Sequence, residues 1–478
     1  MIMRLNKEKI KTVLLIVLVA ASLFQIGIHW SQQGQGFPFR FLARLFNYVD
    51  IYASVDVDSI KHQYFVPERI IVSRSPTALK WKLRQGDPYF NELWEDVSKN
   101  YLPEILGQKP SKILPKEEWP QITNVRCIRF DLSTEWPSDI ILWLENKNDK
   151  KSTEFKSVNS IAILPEEDVN KAVNTVYIFD GYQIYKYSIN IKRDFLPKDE
   201  YTKLAEKLSY ENRLEYDTLS EMAGFDSSED IFVPVDQDSS ALFPTLSIEI
   251  PESLQLNEEN FENEVIAESL LKNQKDSLMV KYNENSGQII FTDTENLYRL
   301  YGNGVLEYKY LPTSVVQAGE VSAAFSKALS FIELRRYLLG DVDIVLSKII
   351  SDKYYEFHFD YEYNGVPVFY TGLNSKERIS SPIVIKATSE RVIECVWVMR
   401  SFTESDTSRK YNLSFSKLLN DQIPQYHPEI MTTDDIFFER MEPGYVFGAS
   451  TKTKVQGLPH WIISNRSEDF FIPLSKEG

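Results

Sequence analysis

The run YYEFHFDYEY at residues 354–363 holds the side chains best placed to do chemistry. If it is a strand, its period of two puts Glu356, His358, Asp360 and Glu362 on one face and Tyr355, Phe357, Phe359, Tyr361 and Tyr363 on the other. Carboxylates flanking an imidazole could hold a metal ion or relay a proton. The competing reading is a half-buried antiparallel strand with its aromatic face in the core and its acidic face in water. No matching His or Cys cluster elsewhere completes a site, so this second reading is preferred, and Glu356, His358 and Asp360 stand as a decoy.

Other chemical signals are fragmentary. Ser414-Phe-Ser-Lys417 has the Ser-x-x-Lys spacing of serine acyl enzymes, but Lys452-Thr453-Lys454 lacks the glycine that lets a Lys-Thr-Gly strand approach substrate. Asp236 and Asp238 open like a calcium loop, yet no glycine stands at the sixth position and Ser247 occupies the twelfth, where a bidentate Glu is needed. No phosphate-cradling glycine loop, zinc-protease helix or nucleophile elbow occurs. No catalytic, cofactor-binding or metal residue is assigned, no cofactor is expected, and the chain reads as a binding or regulatory protein.

The elements that would position these residues follow from composition. At 478 residues the prior is roughly three domains. Apolar residues at 43% and charged residues at 26% exclude both wholesale disorder and a multi-span membrane protein. Aromatic residues reach 13%, much of it in short alternating runs, which predicts a strand-rich α+β fold of antiparallel sheets packed with helices. Cys127 and Cys395 lie far apart in apolar runs and suggest neither a disulfide framework nor a thiolate metal site, while leaving a single long-range disulfide open.

Charge and hydropathy single out the N-terminus. Arg4, Lys7, Lys9 and Lys11 against Glu8 give it +3, leaving 49 basic and 68 acidic residues, hence −19, for the rest. So acidic a body disfavours nucleic acid. Thr12 to Ile28 is a run of 17 uncharged residues, about 25 Å of helix, which His29 and Trp30 extend to the headgroup level. Ala20, Ala21 and Ser22 could form a signal-peptide cleavage site, but the apolar run continues beyond them. An uncleaved anchor is therefore expected: residues 1–11 a cytoplasmic tail, 12–30 a transmembrane helix, and outer domains at 31–193, 194–314 and 315–478, giving a single-pass cell-membrane protein with its bulk outside. Ser22, Gln25 and His29 would share one helical stripe. They are either tolerated polar groups or contacts with another protein's transmembrane helix, where interhelical hydrogen bonds are worth about 0.6–2 kcal/mol.

Within the outer part, strands are predicted at 125–132, 139–144 and 174–187, the last turned at Asp180-Gly181, and helices at 89–101, 198–208, 258–272, 319–339, 341–350 and 433–440. Two helix-then-sheet units in succession suggest related domains.

Several stretches then carry a resemblance. PERIIVS at 67–73, LYRLYGNGVLEYKY at 297–310, ALSFIELRRYL at 328–338, YEFHFDYEYNGVPVF at 355–369 and VIECVWVMRSF at 392–402, behind one N-terminal anchor, resemble the YycH family of bacterial membrane-anchored regulators. The resemblance implies a Gram-positive protein that modulates the WalK/WalR (YycG/YycF) two-component system controlling the cell wall. It further implies an α+β fold with three outer domains, the sensor histidine kinase WalK (YycG) and a YycI-like protein as partners, and no catalytic residues. Relatives activate or restrain the kinase, and both signs stay open. The alternative is an extracytoplasmic cell-wall enzyme or ligand-binding module.

Overall fold

Among the described residues, alternating apolar positions build three antiparallel-rich sheets, and an amphipathic helix joins the two largest. The computed structural model describes residues 55–476, apart from 75–79, 148–152, 166–172, 272–279, 313–316, 432–436 and a few single or paired positions. The predicted span and its stripe Ser22, Gln25 and His29 lie outside the described residues. Among the described residues no helix is long and apolar enough to cross a membrane.

The first part begins with α1 (Val57–Ile60), β1 (Arg69–Ser73), β2 (Lys80–Leu83), α2 (Pro88–Asp96), α3 (Leu102–Ile105), β3 (Lys112–Pro115), α4 (Trp119–Thr123) and β4 (Cys127–Pro137). It continues with α5 (Ser138–Leu144), β5 (Ser157–Leu164), β6 (Val173–Phe179), β7 (Gln183–Asn190), α6 (Lys198–Tyr210), β8 (Glu215–Thr218), α7 (Leu219–Ala223), the two-residue β9 (Asp226–Ser227) and β10 (Phe232–Pro234). Nine of these strands form one sheet in the order β10-β8-β2-β1-β4-β5-β6-β7-β3. Across its centre Arg129 and Arg69 both bond the buried Asp131 at 2.9 Å, and Ser160 donates to the same carboxylate at 3.0 Å. The two guanidiniums hold the Asp131 carboxyl below the usual range against the cost of its burial.

The second part runs through β11 (Ser240–Glu249), α8 (Glu258–Glu262), α9 (Val265–Leu271), β12 (Val280–Glu284), β13 (Gln288–Thr292), β14 (Asn296–Tyr301), β15 (Val305–Tyr310) and α10 (Val321–Glu333). Next come β16 (Asp343–Ser351), β17 (Tyr355–Tyr363), β18 (Val366–Asn374), β19 (Glu377–Ser380), β20 (Ile383–Ala387), β21 (Val392–Val398) and β22 (Ser401–Asn412). The chain closes with α11 (Phe415–Lys417), α12 (Ile423–Tyr426), β23 (Phe437–Gly448), β24 (Val455–Gly457), β25 (Pro459–Asn465) and β26 (Asp469–Pro473). Most of these strands join a 14-stranded sheet, while β22, β11 and β24 form a three-stranded one. The large sheet forks at β17. With β16 along one edge, the other edge of β17 pairs with β20 at Tyr355–Phe359 and with β18 at Tyr361–Tyr363. The buried Tyr361 hydroxyl stitches the fork, accepting from Trp397 Nε1 at 2.6 Å and donating to the Val398 carbonyl at 3.0 Å.

The helix α10 lies between the two large sheets. Val321, Ala324, Phe325, Ala328, Leu329 and Ile332 recur at helical spacing and are buried. The Phe325 ring meets Trp136 of β4 at 5.6 Å and Trp143 of α5 at 6.2 Å on one side, and Phe357 at 5.3 Å and Phe359 at 6.3 Å of β17 on the other. Tyr64 adds an edge contact to Phe359 at 6.1 Å and a hydrogen bond to Glu333 at the end of the helix. The result is a continuous core from Tyr64 to Leu474.

Several local expectations are corrected. Residues 139–144 lie in helix α5, not a strand: a short unbroken apolar run does not distinguish the two, and Ile140, Ile141, Leu142 and Leu144 are all buried. The helix expected at 341–350 is strand β16, whose pairing with β17 along nearly its whole length overrides local propensity. Of the helix expected at 433–440, the described residues 437–440 belong instead to β23, which runs parallel to β18. The 258–272 helix is broken into α8 and α9, with Glu264 at φ 54°. The 319–339 helix ends at Glu333, and a 3-10 turn covers Arg336–Leu338. The 89–101 helix passes Pro103 by a π turn at Val97–Tyr101, and the same device at Leu418–Gln422 precedes Pro424. Proline has no N–H for the regular ladder, and the wider turn accommodates its loss.

Phe325→Ala should lower unfolding stability by about 3–5 kcal/mol, read as a shift of the denaturation midpoint, with Phe325→Leu recovering most of it. A loss below about 1 kcal/mol would show that α10 does not join the sheets.

Candidate functional site

The two branches of the fork enclose a groove of about 640 Å³, floored by the solvent side of β14, β15, β21, β20 and β17 and walled by Gly372, Leu373 and Ala449. Strand alternation creates this floor. Tyr298, Leu306, Cys395, Ile385 and Phe357 point to the core, so Tyr301, Glu307, Glu394, Lys386, Glu356 and His358 face out. The wall at Ala449 is fixed by the buried Arg400, whose guanidinium donates to the carbonyls of Met399 at 2.8 Å, Ala449 at 3.0 Å and Thr451 at 3.0 Å. Gly304 makes room for it: at φ 75°, a Cβ there would lie 2.6 Å from Arg400 Nη1.

Register converts the outward side chains into a ladder of alternating charge. Arg299 stands opposite Glu307 at 3.3 Å, Lys309 opposite Glu394 at 3.5 Å, Glu394 opposite Lys386 at 3.4 Å, and Lys386 opposite Glu356 at 3.5 Å. His358 Nε2 lies 2.7 Å from Glu356 Oε1 and ends the row. The Tyr301 hydroxyl donates to Glu307 at 2.8 Å. Although burial opposes it, the carboxylates of Glu394 and Glu356 hold the Lys386 ammonium above its usual range. Each partly exposed pair contributes little to stability, about 0.2–1 kcal/mol, but together they fix a rigid patterned surface.

The sequence-predicted residues are distributed as follows. Glu356 and His358 come together in the groove, whereas Asp360 lies outside its lining and Glu362 is buried at the far end of β17, so the acidic face is not simply a solvated one. Among the described residues no group of three His, Cys, Asp or Glu side chains is arranged to hold a metal ion. Ser414 is the cap of α11: its Oγ accepts from the Lys417 backbone N–H at 3.3 Å, which accounts for the Ser-x-x-Lys spacing. Asp236 belongs to a tight turn, its carbonyl accepting from Ser239 N–H at 3.2 Å, and Ser247 is paired in β11. Cys127 and Cys395 are buried, unpaired thiols, and burial pushes both up to about 12. Sequence reasoning missed Glu307, Lys309, Lys386 and Glu394. Each sits at an outward position of an alternating strand, but their mutual facing depends on register.

What this surface offers is fixed charge and hydrogen-bonding capacity rather than a poised nucleophile. No protein-family profile matches the chain, and no curated protein matches it in sequence. Among solved structures, YycH from Bacillus subtilis is similar over 87% of this chain and 97% of that one, with a TM-score of 0.55 and 12% sequence identity. An uncharacterized protein from Eubacterium rectale aligns with 51% of this chain and 86% of its own at a TM-score of 0.32 and 11% identity, too low for further comparison. The chain thus has a YycH-like α+β fold.

Proposed function

We propose that this chain is a membrane-anchored regulator of a sensor histidine kinase, acting on the WalK/WalR (YycG/YycF) system that governs the cell wall. The observation that carries the reading is the YycH-like fold, shared over 87% of the chain. The basic N-terminus followed by the apolar run at 12–30 supports an anchor with a cytoplasmic tail at 1–11 and outer domains at 31–193, 194–314 and 315–478. The partners are the kinase WalK (YycG) and a YycI-like protein; nucleic acid is not among them, given the acidic body.

Two contact surfaces follow. The stripe Ser22, Gln25 and His29 would meet a partner's transmembrane helix, and the charged groove floor would meet a partner's outer domain. Modest contacts suffice, because a bias of about 1.4 kcal/mol shifts a two-state kinase tenfold.

Photo-crosslinking from Gln25 in the membrane should capture a kinase or YycI-like helix, and Gln25→Leu should reduce co-purification; adducts to lipid alone, with an unchanged yield, would sink the transmembrane contact. Lys386→Glu places a third acid between Glu356 and Glu394, and should weaken capture of the outer partner about tenfold or more while the chain stays folded. Retained capture would move the outer contact elsewhere. Deleting the gene should alter transcription of autolysin-type wall genes, and an unaltered profile would count heavily against the kinase reading.

A further inference from the structure

Where the first sheet abuts the fork, at the end of β17 remote from the groove, ionisable groups are packed that the contact surfaces do not use. The turn Asn364-Gly365 between β17 and β18, with φ 50° and 70°, seats on the chain just after β2. The contact is tight: a Cβ on Gly365 would lie 2.4 Å from the Gln85 carbonyl oxygen. One ion pair closes the seam, with Arg84 Nη2 at 2.8 Å from Glu442 of β23 and Arg84 Nη1 donating to the Gly365 carbonyl at 3.2 Å.

Two groups in the seam are left over. Lys82 of β2 and the buried Glu362 of β17 make no side-chain hydrogen bond or ion pair with any described residue. Glu362 faces Arg84 and Glu68 from the first sheet, Glu442 from β23 and Asp343 from β16. Lys82 faces Arg84, Arg69 and Glu68 on its own sheet and Glu442 across the seam. Arg69 is already engaged by Asp131 at 2.9 Å, and Arg440 lies 3.7 Å from Glu442. Neither leftover group therefore has an opposite charge to itself.

We propose that proton exchange at Glu362 and Lys82 sets how tightly the two sheets close at this seam, so that the joint is loosest near neutral pH and tightens on either side. The signs follow from the groups' surroundings. Burial, reinforced by Glu68, Glu442 and Asp343, pushes the Glu362 carboxyl up to about 8. Closure then favours its protonated form, and the stabilisation present in acid is lost as pH rises through that value. Burial, reinforced by Arg84, draws the Lys82 ammonium down to about 7. Closure favours its neutral form, and the stabilisation present in strong base is lost as pH falls toward that value. The two losses overlap between about 7 and 8. Lys82 retains some exposure, so Glu362 is the stronger lever.

Hydrogen exchange on the full chain in nanodiscs, corrected for intrinsic rates, tests this across pH 5 to 9. Protection of the segments around 82–86 and 362–366 should pass through a minimum between about 7 and 8, at least about tenfold below its value at pH 5. Glu362→Gln should abolish the fall on the acid side, and Lys82→Met the recovery on the basic side. A seam profile parallel to that of the β6–β7 hairpin, or one unchanged in Glu362→Gln, would overturn the proposal. Should a variant fail to fold, infrared spectra of the wild-type chain decide: a protonated carboxyl band persisting at pH 7 and gone by pH 9 supports it, and its absence at pH 7 refutes it.

Discussion

The ring of Phe325, caught between Trp136 and Trp143 of one sheet and Phe357 and Phe359 of the other, is the contact on which the rest of the architecture depends. A helix that buries one face against two sheets must present an apolar stripe wide enough for both, and α10 does so with the buried Val321, Ala324, Phe325, Ala328, Leu329 and Ile332. Tyr64 and Glu333 tie the entry of the described chain to the end of the same helix.

From that joint β17 reaches out, and its fork gives one strand two electrostatic surroundings. Toward the groove, Glu356 finds Lys386 and His358 across and along the sheet, and the row of alternating charges costs little because each member is paired and partly wet. Toward the seam, Glu362 has no such partner and little water, so its charge is penalised. Six residues apart in sequence, the two glutamates differ in the company that tertiary packing gives them.

Such a division suits the regulatory role proposed above. A kinase near balance needs only a small differential free energy to change state, and paired surface charges supply orientation and specificity rather than bulk affinity. The unpaired groups supply something else, a local stability that depends on conditions. Neither requires the convergent nucleophile, base and oxyanion donors that an enzyme would need.

Sequence alone determined the strand-rich α+β class, because aromatic and β-branched alternation at 127–132, 297–310 and 355–363 has no other economical burial. It also singled out the N-terminal apolar run, the hairpin at Asp180-Gly181 and the pairing of Glu356 with His358 on one face, all set by local period and turn chemistry. It misassigned 139–144 and 341–350 because short apolar runs carry no decisive period, and only a neighbouring strand or an enclosing core selects the form. The ladder, the fork and the seam were illegible for a related reason. Which charges face one another across strands depends on register, and whether Glu362 meets water or the edge of another sheet depends on packing between segments far apart in the chain. Tertiary structure alone decided those pairings, since electrostatic free energy is set by distance and burial rather than by sequence spacing.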